Sequence, residues 1–237
     1  MSKVVLITGG TSGYGYATAK KFKKNGDTVI IASRTESKVK ATVEALGLDD
    51  GFTMNVKNYE EWEALKDAVI KKYGRVDVLV NNAGGGVNIV DTVDQKREDI
   101  DQTILLNLNS VIYGSKLFGA VMKGQKDGII INIASVCATH AWPGWSVYAA
   151  AKAGVLEFTK GLYVELRPFG AKATCIIPAA ADTDFKKNAN LPETPDAPCS
   201  LMAEDIANAV FFAANQPKGV VVEDMTVWGT AQDVNPL

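Results

Sequence analysis

Histidine is almost missing from this chain: His140 is the only one. The three cysteines (Cys137, Cys175 and Cys199) are odd in number, far apart and form no CxxC pair. Such a set gives no structural zinc site and no disulfide framework, so no metal is expected and the thiols fit a reducing, cytoplasmic setting. No unbroken apolar run reaches the ~18 residues that a membrane span needs. Val4-Val5-Leu6-Ile7 is too short for the apolar region of a signal peptide and reads as a first strand. Neither sign of charge is in excess, since 25 basic and 27 acidic residues leave a net charge of −2. That balance provides no basic field for nucleic acid and no patch for an anionic membrane. The expected partner is a small molecule, with no nucleic acid and no membrane.

What the chain does have is core material: 47% hydrophobic and 22% charged residues in 237, enough for one large α/β domain. Short β-branched runs alternate with amphipathic stretches. Strands are expected at residues 4–8, 28–32, 52–56, 76–80, 128–134, 172–177 and 219–227. Helices are expected at 16–25, 37–46, from Asn58 to Tyr73, and at 100–122, 147–166 and 203–215. Asn58 with Glu61 three residues on is a capping-box start, and Trp62, Leu65, Val69 and Tyr73 mark the buried face of that helix. Residues 179–200 are rich in Pro, Ala, Asn and Asp and read as a flap. Neither a composition break nor a repeat divides the chain. The expectation is a single domain, residues 1–237, with a doubly wound, mostly parallel sheet.

Three stretches carry chemistry. Thr8-Gly9-Gly10-Thr11-Ser12-Gly13-Tyr14-Gly15 joins the first strand to the first helix. Glycines allow a tight turn and close approach to a pyrophosphate, and the helix N-terminus offers amides and a positive dipole end. The spacing is GxxxGxG, and a plain tight turn is the other reading. Ser33-Arg34 ends the second strand with no acid at Ala32 or Ser33. An acid there would bind a ribose 2′-hydroxyl, whereas arginine neutralises a 2′-phosphate, so NADP(H) is favoured over NAD(H). A solvent-facing arginine is the bland alternative. Asn81-Asn82-Ala83-Gly84 closes the fourth strand, where asparagines can tie strand ends together and small residues leave room for a ligand.

Tyr148 and Lys152 stand four residues apart among strong helix formers, hence on one helical face. A neighbouring ammonium favours phenolate, which brings the tyrosine towards working pH as a proton donor or acceptor. A surface pair with the lysine stem lying on the ring has the same spacing. Asn107 sits among apolar residues in the long helix, where an unpaired amide costs ~1–3 kcal/mol; by spacing alone it reads as a structural tie. Ser135 follows the fifth strand, thirteen residues before Tyr148.

TGGTSGYG at 8–15, NNAG at 81–84, Ser135 and YAAAK at 148–152 occur in the order that resembles the short-chain dehydrogenase/reductase family, over essentially the whole chain. The resemblance implies a Rossmann-type, seven-stranded sheet and a nicotinamide cofactor. It implies that Asn107, Ser135, Tyr148 and Lys152 form the catalytic set. Tyr148 would be the acid/base, Lys152 would lower its pKa and hold the nicotinamide ribose, and Ser135 would polarise the substrate oxygen. Asn107 would hold a water in the proton relay through its carbonyl. The cofactor would lie along Gly9, Thr11, Ser12, Gly13, Tyr14, Gly15, Ser33, Arg34, Asn55, Val56, Asn82, Ala83, Gly84, Pro178 and Thr183, besides Tyr148 and Lys152. A homotetramer or homodimer is also implied. Three positions depart from the family pattern: Asn55 replaces a common acid, Ala179 replaces the glycine after Pro178, and no DGG follows Val227.

For substrate, Cys137, His140, Trp142 and Trp145 are expected to line the pocket, with Cys137 as a wall residue because no base is placed to activate it. Trp142 and Trp145 packing at an interface is an equal alternative. Lys186 and Lys187 on the flap either meet an anion or are solvated. The expected activity is NADP(H)-dependent interconversion of a secondary alcohol and its ketone or aldehyde. Alternatives are an NAD(H)-dependent dehydrogenase of a polar hydroxy acid, polyol or steroid, and a non-catalytic NADP(H)-binding sensor on the same fold.

Overall fold

The computed structural model describes residues 2–181, 185, 189 and 201–232. Seven strands form one sheet in the order β3-β2-β1-β4-β5-β6-β7: β1 (Val4–Thr8), β2 (Thr28–Ser33), β3 (Asp50–Thr53), β4 (Val78–Asn81), β5 (Ile129–Ile133), β6 (Lys172–Pro178) and β7 (Asp224–Val227). Every pairing is parallel, from Val5↔Val29 and Val5↔Val78 at the centre to Cys175↔Asp224 at the edge. The mostly parallel sheet expected from the alternation is therefore wholly parallel. Strand order reverses between β1 and β4, and the carboxyl ends of those strands are where an open α/β sheet leaves a crevice for a ligand.

Among the described residues the helices are α1 (Gly13–Lys24), α2 (Glu36–Leu46), α3 (Tyr59–Tyr73), α4 (Arg97–Ile104), α5 (Ser110–Gln125), α6 (Ser146–Leu166) and α7 (Ala203–Ala214). Alternate strand residues feed two cores. Val5, Ile7, Val29 and Ile31 pack with Phe22, Ile206 and Val210 on one face. Leu6, Ile30 and Leu79 pack with Trp62, Phe118, Met122 and Leu162 on the other. Both faces of the central strands are thus apolar, which is why they read as continuous hydrophobic runs. Asn58 caps α3 as expected, its side chain accepting from Glu61 N at 3.1 Å.

Several boundaries differ from the sequence reading. The third strand is Asp50–Thr53 rather than 52–56, because Asn55 Oδ1 turns the chain by accepting Lys57 N at 3.2 Å. Val76 and Asp77 precede β4 instead of belonging to it: Val76 N donates to Gln125 Oε1, and Asp77 Oδ2 accepts from Val4 N at 2.8 Å. The last strand is Asp224–Val227 rather than 219–227. Upstream of it, the Lys172 ammonium collects the carbonyls of Gln216, Pro217 and Val220 into a turn that no parallel ladder could use.

The long helix begins at Arg97 and contains a π turn, Leu105–Asn109. Taken as one element, Arg97–Gln125 is long and apolar enough to cross a bilayer by length and composition, contrary to the expectation that no stretch qualifies. Here Val111, Ser115, Phe118 and Met122 of that helix are buried, Phe118 and Met122 in the core shared with Leu79 of β4 and Ile130 of β5.

Candidate active site

Backbone contact, not side-chain bulk, shapes the β1–β4 crevice. Gly9 and Gly13 adopt left-handed φ of 66° and 50°, a conformation glycine reaches without a Cβ penalty. A Cβ on Gly15 would fall 2.3 Å from Gly9 O and 2.6 Å from Asn82 Nδ2, so the start of α1 can press onto the β1 end only without a side chain. Asn82 Nδ2 donates to Thr8 O at 2.9 Å, while Thr8 Oγ1 accepts from Asn82 N and Ala83 N, each at 3.1 Å. The strand-end asparagines do tie neighbours together. Ser12 caps α1 without a side-chain hydrogen bond, and no acid lies in the first turn. Those amides and the dipole end suit an anion. Thr11 Oγ1 and Ser33 Oγ are 3.0 Å apart and join this loop to the end of β2. Arg34, next in the chain, is exposed and makes no side-chain hydrogen bond or ion pair among the described residues. Asn55 and Val56 follow β3; Val56 is buried, and its carbonyl accepts the Trp62 indole N–H at 2.9 Å. These features fit a dinucleotide whose pyrophosphate lies over the α1 N-terminus.

One layer deeper, Asn81 Nδ2 donates to Asn132 Oδ1 at 2.8 Å and to Ser115 Oγ at 3.1 Å. Asn132 Nδ2 donates to Thr159 Oγ1 at 2.9 Å. This buried chain locks β4 and β5 to α5 and α6, the two helices that flank the reacting groups.

The four residues Asn107, Ser135, Tyr148 and Lys152 come together past the ends of β4 and β5. Asn107 is fully buried in the π turn. Its Oδ1 accepts Gly85 N at 3.0 Å, and its Nδ2 donates to Gly85 O at 2.9 Å and Thr103 O at 3.0 Å. A Cβ on Gly84 would sit 2.9 Å from Asn107 Oδ1 and 3.4 Å from Lys152 Nζ, so this glycine is where the two side chains meet. Ser135 caps a short 3-10 turn (Val136–Ala138), its Oγ accepting from Cys137 N at 3.2 Å. Tyr148 and Lys152 lie one turn apart on α6, both buried. The ammonium lies 5.7 Å from the Tyr148 ring centroid and donates to Ile133 O at 2.8 Å. That is its one hydrogen bond among the described residues, and an ammonium has three donors.

Electrostatics here depart from the sequence reading. Tyr148 is pushed above its ordinary value, chiefly by burial and further by Cys137, while the Ser135 hydroxyl hydrogen-bonding to the phenol oxygen opposes the rise. Lys152 is not among the groups that shift it. Burial also lowers Lys152, to about 8. Desolvation disfavours both charged forms and here outweighs the pairing that spacing suggested. Cys137 is likewise pushed up by burial, and Cys175 to about 12, so neither is a ready nucleophile.

Aromatic rings close the other side. Trp145 meets Tyr148 edge-on at 5.6 Å between centroids. His140 stacks on Trp142 at 5.9 Å and meets Trp228 edge-on at 5.4 Å. Two participants escaped the sequence reading: Trp228, just past β7, and Phe185, 5.7 Å from Tyr148 and stacked on Trp145. Phe185 is the one aromatic in residues 179–200, and that was the available signal. Pro178 ends β6. Ala179 keeps the sheet pairing through its N–H to Val227 O at 2.9 Å, and its carbonyl accepts the Tyr14 hydroxyl at 3.5 Å. Thr183, Lys186, Lys187 and Cys199 lie outside the described residues.

The sequence profile of the short chain dehydrogenase family matches residues 3–194. The 3-oxoacyl-[acyl-carrier-protein] reductase FabG of Thermotoga maritima is 36% identical over 195 residues, covering 81% of this chain and 78% of its own. The closed form of a serine dehydrogenase complexed with NADP+ superposes with a TM-score of 0.91 at 25% identity, covering 99% of this chain and 98% of the other. An alcohol dehydrogenase from the archaeon Thermococcus sibiricus, complexed with 5-hydroxy-NADP, gives 0.87 at 25% identity, covering 98% and 99%. With this profile match over a Rossmann-type fold, the chain belongs to the short-chain dehydrogenase/reductase family of oxidoreductases.

Proposed function

We propose that this protein is an NADP(H)-dependent carbonyl reductase or alcohol dehydrogenase that interconverts a secondary alcohol and its ketone or aldehyde, with Tyr148 as the proton donor and acceptor. The observation that carries the reading is the meeting of Ser135, Tyr148, Lys152 and Asn107 beside the β1–β4 crevice. A nicotinamide cofactor, held by the α1 N-terminus, Ser33, Arg34 and the 82–84 segment, supplies or accepts the hydride. The protein's own groups do the rest. Ser135 donates a hydrogen bond to the substrate oxygen and fixes it beside the phenol. Tyr148 transfers its proton to that oxygen in reduction. Burial raises its pKa, so a bound substrate and cofactor must bring the phenol back towards working pH for it to give up this proton readily. Lys152 turns its remaining N–H groups to the site and carries a charge that titrates near pH 8. Asn107 anchors the Gly85 backbone and thereby the wall facing Lys152.

The preference for NADP(H) over NAD(H) rests on Arg34, exposed at the end of β2 with no acid beside it. Family membership supports a homotetramer or homodimer, checked by sedimentation velocity. The activity is tested by NADPH oxidation at 340 nm against aldehydes, ketones and keto acids. Turnover that persists in Tyr148→Phe would refute the mechanism. NADPH binding without turnover on any carbonyl, in either direction, would favour the sensor alternative.

A further inference from the structure

Two rings from distant parts of the chain stand beside the Tyr148 ring. Trp145, just before α6, and Phe185, in the segment after β6, are parallel within 8° at a centroid distance of 5.9 Å. Both stand nearly perpendicular to Tyr148, at 75° and 71°. Phe185 is held from a third side: a Cβ on Gly86 would come within 3.3 Å of Phe185 Cζ and 2.4 Å of Ala189 Cβ. Ala189 is fully buried, and its carbonyl accepts Ile89 N at 3.4 Å. The ring is therefore packed in place by the loop after β4. We infer that Trp145 and Phe185 form a flat aromatic wall beside Tyr148, which makes Phe185 a specificity-determining residue and selects carbonyl compounds with an uncharged aryl or conjugated substituent next to the reacting carbon.

The inference rests on the reductase reading and narrows its substrate. Flat π surfaces pack best against parallel rings or their edges at centroid distances of roughly 4.5–7 Å, the range already used by the three rings here. A saturated ring of equal carbon number is thicker and lacks the quadrupole that favours this geometry. An acid group fares worse, because a carboxylate pays a desolvation penalty unless it is paired. Among the described residues, the side chains that shift the Tyr148 phenol are Cys137, Ser135 and Tyr14, all uncharged at neutral pH. Lys152 gives one N–H to Ile133 O, and on the reductase reading its other donors serve the nicotinamide ribose.

The test compares acetophenone with cyclohexyl methyl ketone, two methyl ketones of equal carbon number. Steady-state kcat/KM is measured with NADPH, and Kd by ligand-observed NMR with and without NADP+, where no turnover occurs. Wild type should favour acetophenone by roughly tenfold, the ratio expected of one or two aromatic contacts. Phe185→Leu and Trp145→Leu should bring the ratio towards one through the KM and Kd of acetophenone, and Phe185→Tyr should restore it. Equal binding of the two ketones by wild type, or variants that scale both by one factor, would overturn the inference. Failure of NADPH turnover on every carbonyl would instead fall on the reductase reading, and the Kd ratio would still decide the aromatic wall.

Discussion

On the β1–β4 side of the site, close approach is secured by missing side chains and amide hydrogen bonds: Gly15 against Gly9 O, and Asn82 against Thr8 O. On the β5–β6 side, rings far apart in sequence meet, as Trp145 and Phe185 do across 40 residues and His140 and Trp228 across 88, beside a polar anchor at Ser135. The first side tolerates almost no added atom, because its contacts are with backbone. The second is built of side-chain surfaces, rings that pack on one another and on Tyr148. On the proposed reading, that division puts rigidity where the cofactor would lie and replaceable bulk where the substrate would lie.

The contrast can be broken where the two sides meet. Tyr148→Phe removes the proton donor and should lower kcat by about 10²–10⁴-fold while leaving the NADPH Kd from fluorescence titration little changed. A parallel loss of NADPH binding would mean the phenol belongs to the cofactor side as well. On that side alone, Arg34→Ala should weaken NADPH by roughly 10–100-fold, the worth of a charge-assisted hydrogen-bond pair, and leave NADH nearly unaffected. Equal losses for both would remove the basis for the NADP(H) preference.

Smaller effects probe the layer beneath. Asn132→Ala leaves Asn81 Nδ2 and Thr159 Oγ1 without the partner they share. It should cost about 1–3 kcal/mol in urea unfolding, without altering the NADPH to NADH affinity ratio. Lys152 gives a pH-dependent term. Its folded pKa of about 8 lies below the ordinary 10.5, so the native protein sheds this proton first. Between those values the unfolded chain binds more protons, and stability rises with pH. Relative to Lys152→Met, wild type should gain at most about 1.4 kcal/mol per pH unit across that window, read by urea unfolding. A flat difference would mean that the amine is solvated in the native state.

Sequence spacing placed the strands, the glycine turn and the Tyr148–Lys152 face correctly because each depends on neighbours within one or two turns. The end of the third strand is set locally, by Asn55 on Lys57, but the other strand errors come from contacts distant in sequence. Residues 219–223 have the β-branched content of a strand, yet the Lys172 ammonium, some 45 residues away, takes the carbonyls around them. Val76 looks like strand until Gln125 claims its N–H. Phe185 was legible only as an isolated aromatic in a polar stretch, since nothing near it in sequence reveals Trp145.

By itself, then, the sequence determined the alternating α/β architecture, the anion-suited turn at 9–15 and the shared face of Tyr148 and Lys152, because periodicity, glycine and helical spacing act locally. Asn107 and Ser135 joined the proposed set only through the family resemblance. Tertiary structure alone decided the electrostatic state of that set. Tyr148 is raised and Lys152 lowered by burial, and desolvation is a property of the surroundings that no spacing encodes. It also decided what faces the phenol, because Trp145, Phe185 and Gly86 become neighbours only when the ends of β4, β5 and β6 lie side by side in one sheet.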